Sequence, residues 1–229
     1  MKRFIVVTGF CLVLLSLSLP TQGHDVITTR ITWNREISRI FNERCVSCHH
    51  SGGMSFAFTT YAEARPWAVA IKEEVLARRM PPWGGVKGFG EFRNDQALTA
   101  EQMEMITDWV EGGVPEGNEK DLQPVPKFPD PSISEPPASG FIVSGDTALL
   151  HPFTLDGIWP QKVPDRESVK ITAELPDGTV IPLLWLYEYK RQYGHPFLLK
   201  TPLELPQGTV IGGIPPNASF VLLPSGPAE

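Results

Sequence analysis

The sequence predicts a two-domain chain, an all-α N-terminal unit followed by a small antiparallel β-sandwich, and three observations predict it. Seven of the 23 prolines of the 229 residues fall between Pro115 and Pro137, in "PEGNEKDLQPVPKFPDPSISEPP", which is too rich in breakers for helix or strand and reads as an extended connector. Before it, apolar residues recur at helical spacing. After it, short alternating segments are separated by turn signals. The expected division is a signal peptide over 1–23, a helical unit over 24–120, a proline-rich linker over 121–138 and a β-sandwich over 139–229.

The first segment, "MKRFIVVTGFCLVLLSLSLPTQGHD", has the layout of a secretory signal: Lys2 and Arg3, an apolar run from Phe4 to Leu19, then Pro20 and small or polar residues. Cleavage is expected after Gly23, leaving His24 at the new terminus and no membrane span. An uncleaved membrane anchor is the alternative, and it is the poorer fit because a full span needs about 20 apolar residues. The expected location is therefore the periplasm or another exported compartment of a bacterium. Cys11 leaves with the signal, so Cys45 and Cys48 are the cysteines of the mature chain, too few for a disulfide framework. The formal charge of -6 falls to -8 once Lys2 and Arg3 are removed. An acidic surface repels nucleic acid and anionic lipid and would suit a basic partner.

Three helices are predicted in the first half. In "TWNREISRIFNERC", Ile37, Ile40 and Phe41 fall at helical spacing, with Asn34 placed to cap the start and Cys45 delivered at the end. In "YAEARPWAVAIKEEVLARRM", Pro66 is tolerated near the first turn, Trp67, Ala68, Ile71 and Val75 line one face, and Pro81 and Pro82 forbid continuation. In "LTAEQMEMITDWVEGG", Thr99 and Gln102 have capping-box spacing, Met103, Ile106, Trp109 and Val110 share a side, and Gly112 and Gly113 stop the helix. Three short helices bury little apolar surface alone, so such a unit would gain from a large apolar cofactor at its centre.

"CVSCHH", residues 45–50, names that cofactor. C-x-x-C-H is the spacing of covalent haem attachment. Two thiols two residues apart can form thioethers to both vinyl groups of one porphyrin, and the next imidazole reaches the iron. Cys45 and Cys48 are thus assigned to one haem c and His49 to its iron. A thioredoxin-like disulfide would need a βαβ setting, and a zinc site would need a second ligand pair that His24, His50, His151 and His195 do not form. For the sixth iron ligand the expectation is Met80, which follows the second helix and precedes two stiffening prolines. Met54 is too closely tethered to His49, Met103 and Met105 read as packing residues of the third helix, and His50 should point away from its neighbour.

These residues carry a resemblance. "CVSCHHSGGMSFAFTTYAEARPWAVAIKEEVLARRMPPW" followed by "GEFRNDQALTAEQMEMITDWVEGGVPEG" resembles the monohaem cytochrome c domain found beside bacterial copper type II, ascorbate-dependent monooxygenase domains and in related exported cytochromes. The likeness spans about Thr32 to Leu122 and joins C-x-x-C-H to R-x-M-P-P-W and a closing W-V-x-x-G. It implies the class I cytochrome c fold for the N-terminal unit, with Cys45, Cys48, His49 and Met80 in the roles just described.

In the second half, "LPDGTV" is a hairpin signal at Asp177 and Gly178, "LPQGTV" a further turn, and Val169, Ile171, Ala173 and Leu175 alternate with Lys170, Thr172 and Glu174. "ELPDGTVIPLLWLYEYKRQYGHPFLLKTPLELPQGTVI" resembles the terminal strands of the copper monooxygenase domain, but this half has only His151 and His195 and no methionine, so it lacks that family's ligand set. Both histidines precede proline and read as turn residues. Trp185, Tyr187 and Tyr189 form either an exposed aromatic strip or part of the core. A secondary expectation is copper at His24, whose amine and imidazole could chelate it with a third nitrogen from His50, His151 or His195.

The function expected from the sequence is an exported c-type cytochrome that passes single electrons through a His/Met-ligated iron and turns over no substrate. The alternatives are an electron-donating subunit or domain of a copper-dependent oxidase or monooxygenase, and a haem-based gas sensor in which Met80 dissociates.

Overall fold

The computed structural model describes residues 30–127 and 140–226, so the expected signal peptide, His24 and the proline-rich linker from residue 128 onward lie outside the described residues. A π-helical turn, Trp33–Ile37, leads into α1, Ser38–Arg44. Helix α2, Tyr61–Ala64, a 3-10 turn, Arg65–Trp67, and α3, Ala68–Leu76, run head to tail. Helix α4 is Ala100–Glu111. Eight strands follow: β1 Phe141–Val143, β2 Thr147–Ala148, β3 Phe153–Lys162, β4 Val169–Glu174, β5 Val180–Leu186, β6 Phe197–Leu205, β7 Val210–Gly212 and β8 Ser219–Pro224. They form two antiparallel four-stranded sheets, ordered β1-β8-β3-β6 and β2-β7-β4-β5. Among the described residues no helix is long and apolar enough to cross a membrane.

The expected fold class, an all-α cytochrome c fold joined to a separate β-sandwich, is corrected by this arrangement. Beside the two sheets, the described residues hold short helical runs at 33–44, 61–76 and 100–111 and two isolated 3-10 turns, and the N-terminal half is not an all-α unit. Its long segment between α3 and α4 is built into the β structure. Gly85 bridges Leu186 of β5, and Phe92 bridges Leu199 of β6. Trp83 is buried with the β core, not with the helices. The physical reason lies in the sheet order: β5 and β6 are edge strands, and an edge with open N–H and C=O groups is capped by the first chain segment able to pair with it.

The helices pack on an aromatic centre. Trp33 meets Phe41 edge-on at 5.0 Å and Trp109 at 5.8 Å, with Ile37, Ile40, Ile71, Val75 and Ile106 around them. The first helical stretch is not capped by Asn34, which is buried inside it. Its leading amides are satisfied by the chain beyond α4, Trp33 N–H donating to Pro115 O (3.0 Å) and Asn34 N–H to Glu116 O (2.9 Å). Trp67 also departs from expectation. Ala68, Ile71 and Val75 face the core, whereas Trp67 sits on the exposed side because the 3-10 turn rotates it away from the face of α3.

Helix α4 starts as its sequence predicts. Gln102 N–H donates to Thr99 Oγ1 (3.1 Å) and Thr99 N–H to Gln102 Oε1 (3.0 Å), closing a capping box. Thr99→Ala is expected to lower the free energy of unfolding by about 1 kcal/mol, measured by denaturant titration, with the helical content of the folded protein unchanged.

In the sheets, Val169, Ile171 and Ala173 of β4 are buried and alternate with more exposed neighbours. The β4–β5 hairpin turns at Asp177 and Gly178, with Gly178 at φ +84° and Leu175 N–H on Thr179 O (2.8 Å). The second turn signal joins β6 of one sheet to β7 of the other. The three aromatics of β5 and its exit do not form one strip: Tyr189 is buried, Tyr187 is exposed, and Trp185 lies under the Lys170 ammonium (4.2 Å) beside Phe89.

Candidate functional site

Helix α1 ends where the attachment motif begins. Cys45 N–H and Val46 N–H both donate to Phe41 O (2.9 and 3.0 Å), and the Cys45 carbonyl accepts from Cys48 N–H (3.1 Å) and His49 N–H (3.0 Å). The result is one tight turn with Val46 buried in the helical core and Ser47 exposed. Cys45 and Cys48 stand half-buried on it, both as free thiols. The Cys45 thiol is pushed up to about 12, chiefly by burial, with Cys48 adding to the effect and Arg44 opposing it. Such a thiol stays protonated, which slows its oxidation to a disulfide.

The chain then folds back over His49. Phe58 N–H donates to His49 O (2.9 Å), and the rings of the two residues stack at 4.4 Å with 12° between their planes. His49 Nδ1 lies 2.9 Å from Phe56 O. A carbonyl can only accept, so this contact places the proton on Nδ1 and leaves the lone pair on Nε2. Burial lowers the His49 pKa, and the hydrogen bond to Phe56 opposes that shift without reversing it. A neutral imidazole with a fixed tautomer and an open Nε2 is the form that binds a metal. Gly53 makes the return loop fit, since a Cβ there would come within 2.5 Å of Cys48 O.

The residues around the turn fit a haem on two counts. The donor set is two reduced thiols and a neutral imidazole on one turn. Apolar side chains beside it face solvent: Met54 and Phe56 on the return loop, with the Phe56 ring stacked on Trp67 at 4.5 Å. Arg44, adjacent to Cys45, is engaged through its terminal nitrogens with Asp95 O and the Glu43 carboxylate, while its buried Nε has no hydrogen-bond partner.

The turn gathers Cys45, Cys48 and His49. Met80 lies beyond the end of α3, half-buried, with its N–H directed at Glu74 O (3.3 Å). The preceding Arg79 is tied to the Glu74 carboxylate by two bonds of 2.7 and 2.8 Å. Met54 is exposed, and Met103 and Met105 pack against the helical core. Of the histidines considered for copper, His24 lies outside the described residues, His50 directs Nδ1 to Val46 O (2.8 Å), and His151 is exposed. Among the described residues no group of three or more His, Cys, Asp or Glu side chains is arranged to hold a metal ion.

His195 is not the solvent-facing turn residue its context predicts. Its ring stacks on Trp83 at 4.6 Å with 15° between planes, and its Nδ1 and Nε2 lie 2.9 Å from Pro196 O and 3.2 Å from Trp83 O. Burial pushes its pKa below the usual range against the pull of both carbonyls. Below about pH 6.5 the unfolded chain takes a proton that folded His195 resists, so stability falls as pH falls through that value. The denaturation midpoint of the wild type is expected to drop more between about pH 7.5 and about pH 5.5 than that of His195→Phe, which has nothing to titrate there.

Compared with models of protein families, with curated proteins and with solved structures, the chain matches none.

Proposed function

We propose that this is an exported c-type haem protein that carries single electrons, with Cys45 and Cys48 as thioether donors, His49 as one axial ligand and Met80 as the other. The observation that carries the reading is the attachment turn: two free thiols and a neutral, oriented imidazole held on one hydrogen-bonded coil at the end of α1. When bound, the haem supplies one-electron Fe(III)/Fe(II) chemistry. The chain's own part is to bind, orient and shield. The two thiols hold the group by bonds that survive unfolding. Phe56 O and the Phe58 ring fix the direction of Nε2. A thioether from Met80 would close the sixth position and raise the reduction potential, which suits electron transfer and disfavours binding of oxygen or other gases. Removal of the leader places the protein in the compartment where such attachment occurs, and the partner is a redox protein.

The test is an optical and magnetic circular dichroism spectrum of periplasmically expressed protein in both redox states, beside Met80→Ala. The expected result is a methionine-to-iron charge-transfer band at the red end of the visible spectrum that disappears in the variant. A wild type that lacks the band and binds carbon monoxide readily when reduced would overturn the His49/Met80 assignment.

A further inference from the structure

We propose that the β-unit holds Met80 in position through a clasp between Trp83 and His195, which makes His195 a positioning residue for the iron ligand. This rests on the reading of Met80 given above.

The strap that follows Met80 is anchored on both sheets. Val86 N–H donates to Trp185 O (2.8 Å) and Tyr187 N–H to Gly84 O (2.9 Å), adding the strap to the edge at β5. Arg93 N–H donates to Leu198 O (2.9 Å) and Lys200 N–H to Glu91 O (2.9 Å), adding it to the edge at β6. Asn94 reinforces the second contact, accepting from Leu198 N–H (3.0 Å) and donating to Pro196 O (2.8 Å). The Arg93 guanidinium pairs with Asp156 through two bonds of 2.9 and 2.7 Å. Trp83 and Phe92 plug the gap so formed, each within 6 Å of the other and of Phe197.

Met80 lies at the point where this strap leaves the helices. On one side its N–H and that of Arg79 point at Glu74 O of α3. On the other, only Pro81 and Pro82 separate it from Trp83, and each ring removes a soft backbone torsion. The place of Met80 is therefore set by Val75 in the helical core and by Trp83 in the β core together. Trp83 is held from the β side by the stacked His195 ring and, in the tautomer that carries the proton on Nε2, by an N–H donated to Trp83 O (3.2 Å). Loosening that contact lets the strap, and the thioether with it, sample positions away from the iron.

The experiment compares holoprotein carrying wild-type sequence, His195→Leu, His195→Gln and Met80→Ala. Three readouts are used: the methionine-to-iron band, the rate of carbon monoxide binding to the reduced form, and hydrogen exchange at the Val86 and Arg93 amides. In His195→Leu the band is expected to weaken, and carbon monoxide binding and amide exchange to speed up about 10-fold, as loss of one hydrogen bond implies for a local opening. His195→Gln, whose amide can donate to Trp83 O, is expected to restore most of the wild-type behaviour. Faster exchange in His195→Leu with an unchanged band and carbon monoxide rate would overturn the proposal by reducing His195 to a packing residue. Wild-type values throughout in His195→Leu would overturn it as well. A wild type without the band would overturn the Met80 reading and the clasp's purpose with it, an outcome the Met80→Ala control separates from failure of the clasp alone.

Discussion

Replacing Cys45 and Cys48 together by alanine is expected to abolish all haem that stays on the chain after denaturation, while each single replacement leaves a chain that retains haem through one thioether. The expectation follows from the turn's chemistry. The two sulfurs stand on the same hydrogen-bonded coil, both are free, and each thioether is a covalent bond that survives when packing and axial ligation are lost. The measurement is haem staining of a denaturing gel, with mass spectrometry of the intact chain. Wild-type protein expressed with the attachment machinery should carry one porphyrin, and the double variant none. Wild-type protein that emerges without haem and with Cys45 joined to Cys48 would make the pair a redox dithiol and overturn the reading at its root.

Trp83→Ala is expected to cost about 4 kcal/mol of stability. Trp83 is one of the large side chains of the β core, in contact with Phe92, His195 and Phe197, and its loss opens a cavity where the strap enters the sandwich. Trp67→Ala is the matched control. That ring is exposed and stacks only on Phe56 among the recorded aromatic contacts, so its loss should cost about 1 kcal/mol or less. Denaturant titration of both variants decides the matter. Equal losses would mean that the strap is a surface loop and not a part of the β core.

Much of the turn at residues 45–49 was legible in the sequence because its signal is local. C-x-x-C-H places thiols and imidazole within one turn whatever surrounds them, and α1 and α4 announce themselves through apolar spacing and the Thr99–Gln102 box. The hairpin at Asp177 and Gly178 is equally local. What holds His49 was not legible: the Phe56 carbonyl and the Phe58 ring lie on a return loop with no periodic pattern, and only Gly53 hinted at a close chain approach.

By itself the sequence determined the elements whose interactions close within a few residues: the helical stretches, the β4–β5 turn and the motif at 45–49. Tertiary structure alone decided where the stretch from Trp83 to Asn94 belongs. Its Gly and aromatic residues match neither a helical nor a strand period, and its partners lie about 100 residues away along the chain, at Leu186 and Leu199. A segment of that kind takes its conformation from the edges it caps. Those edges existed only once the order of strands had left β5 and β6 on the outside of their sheets, and the same ordering moved His195 from an unremarkable turn to the underside of Trp83.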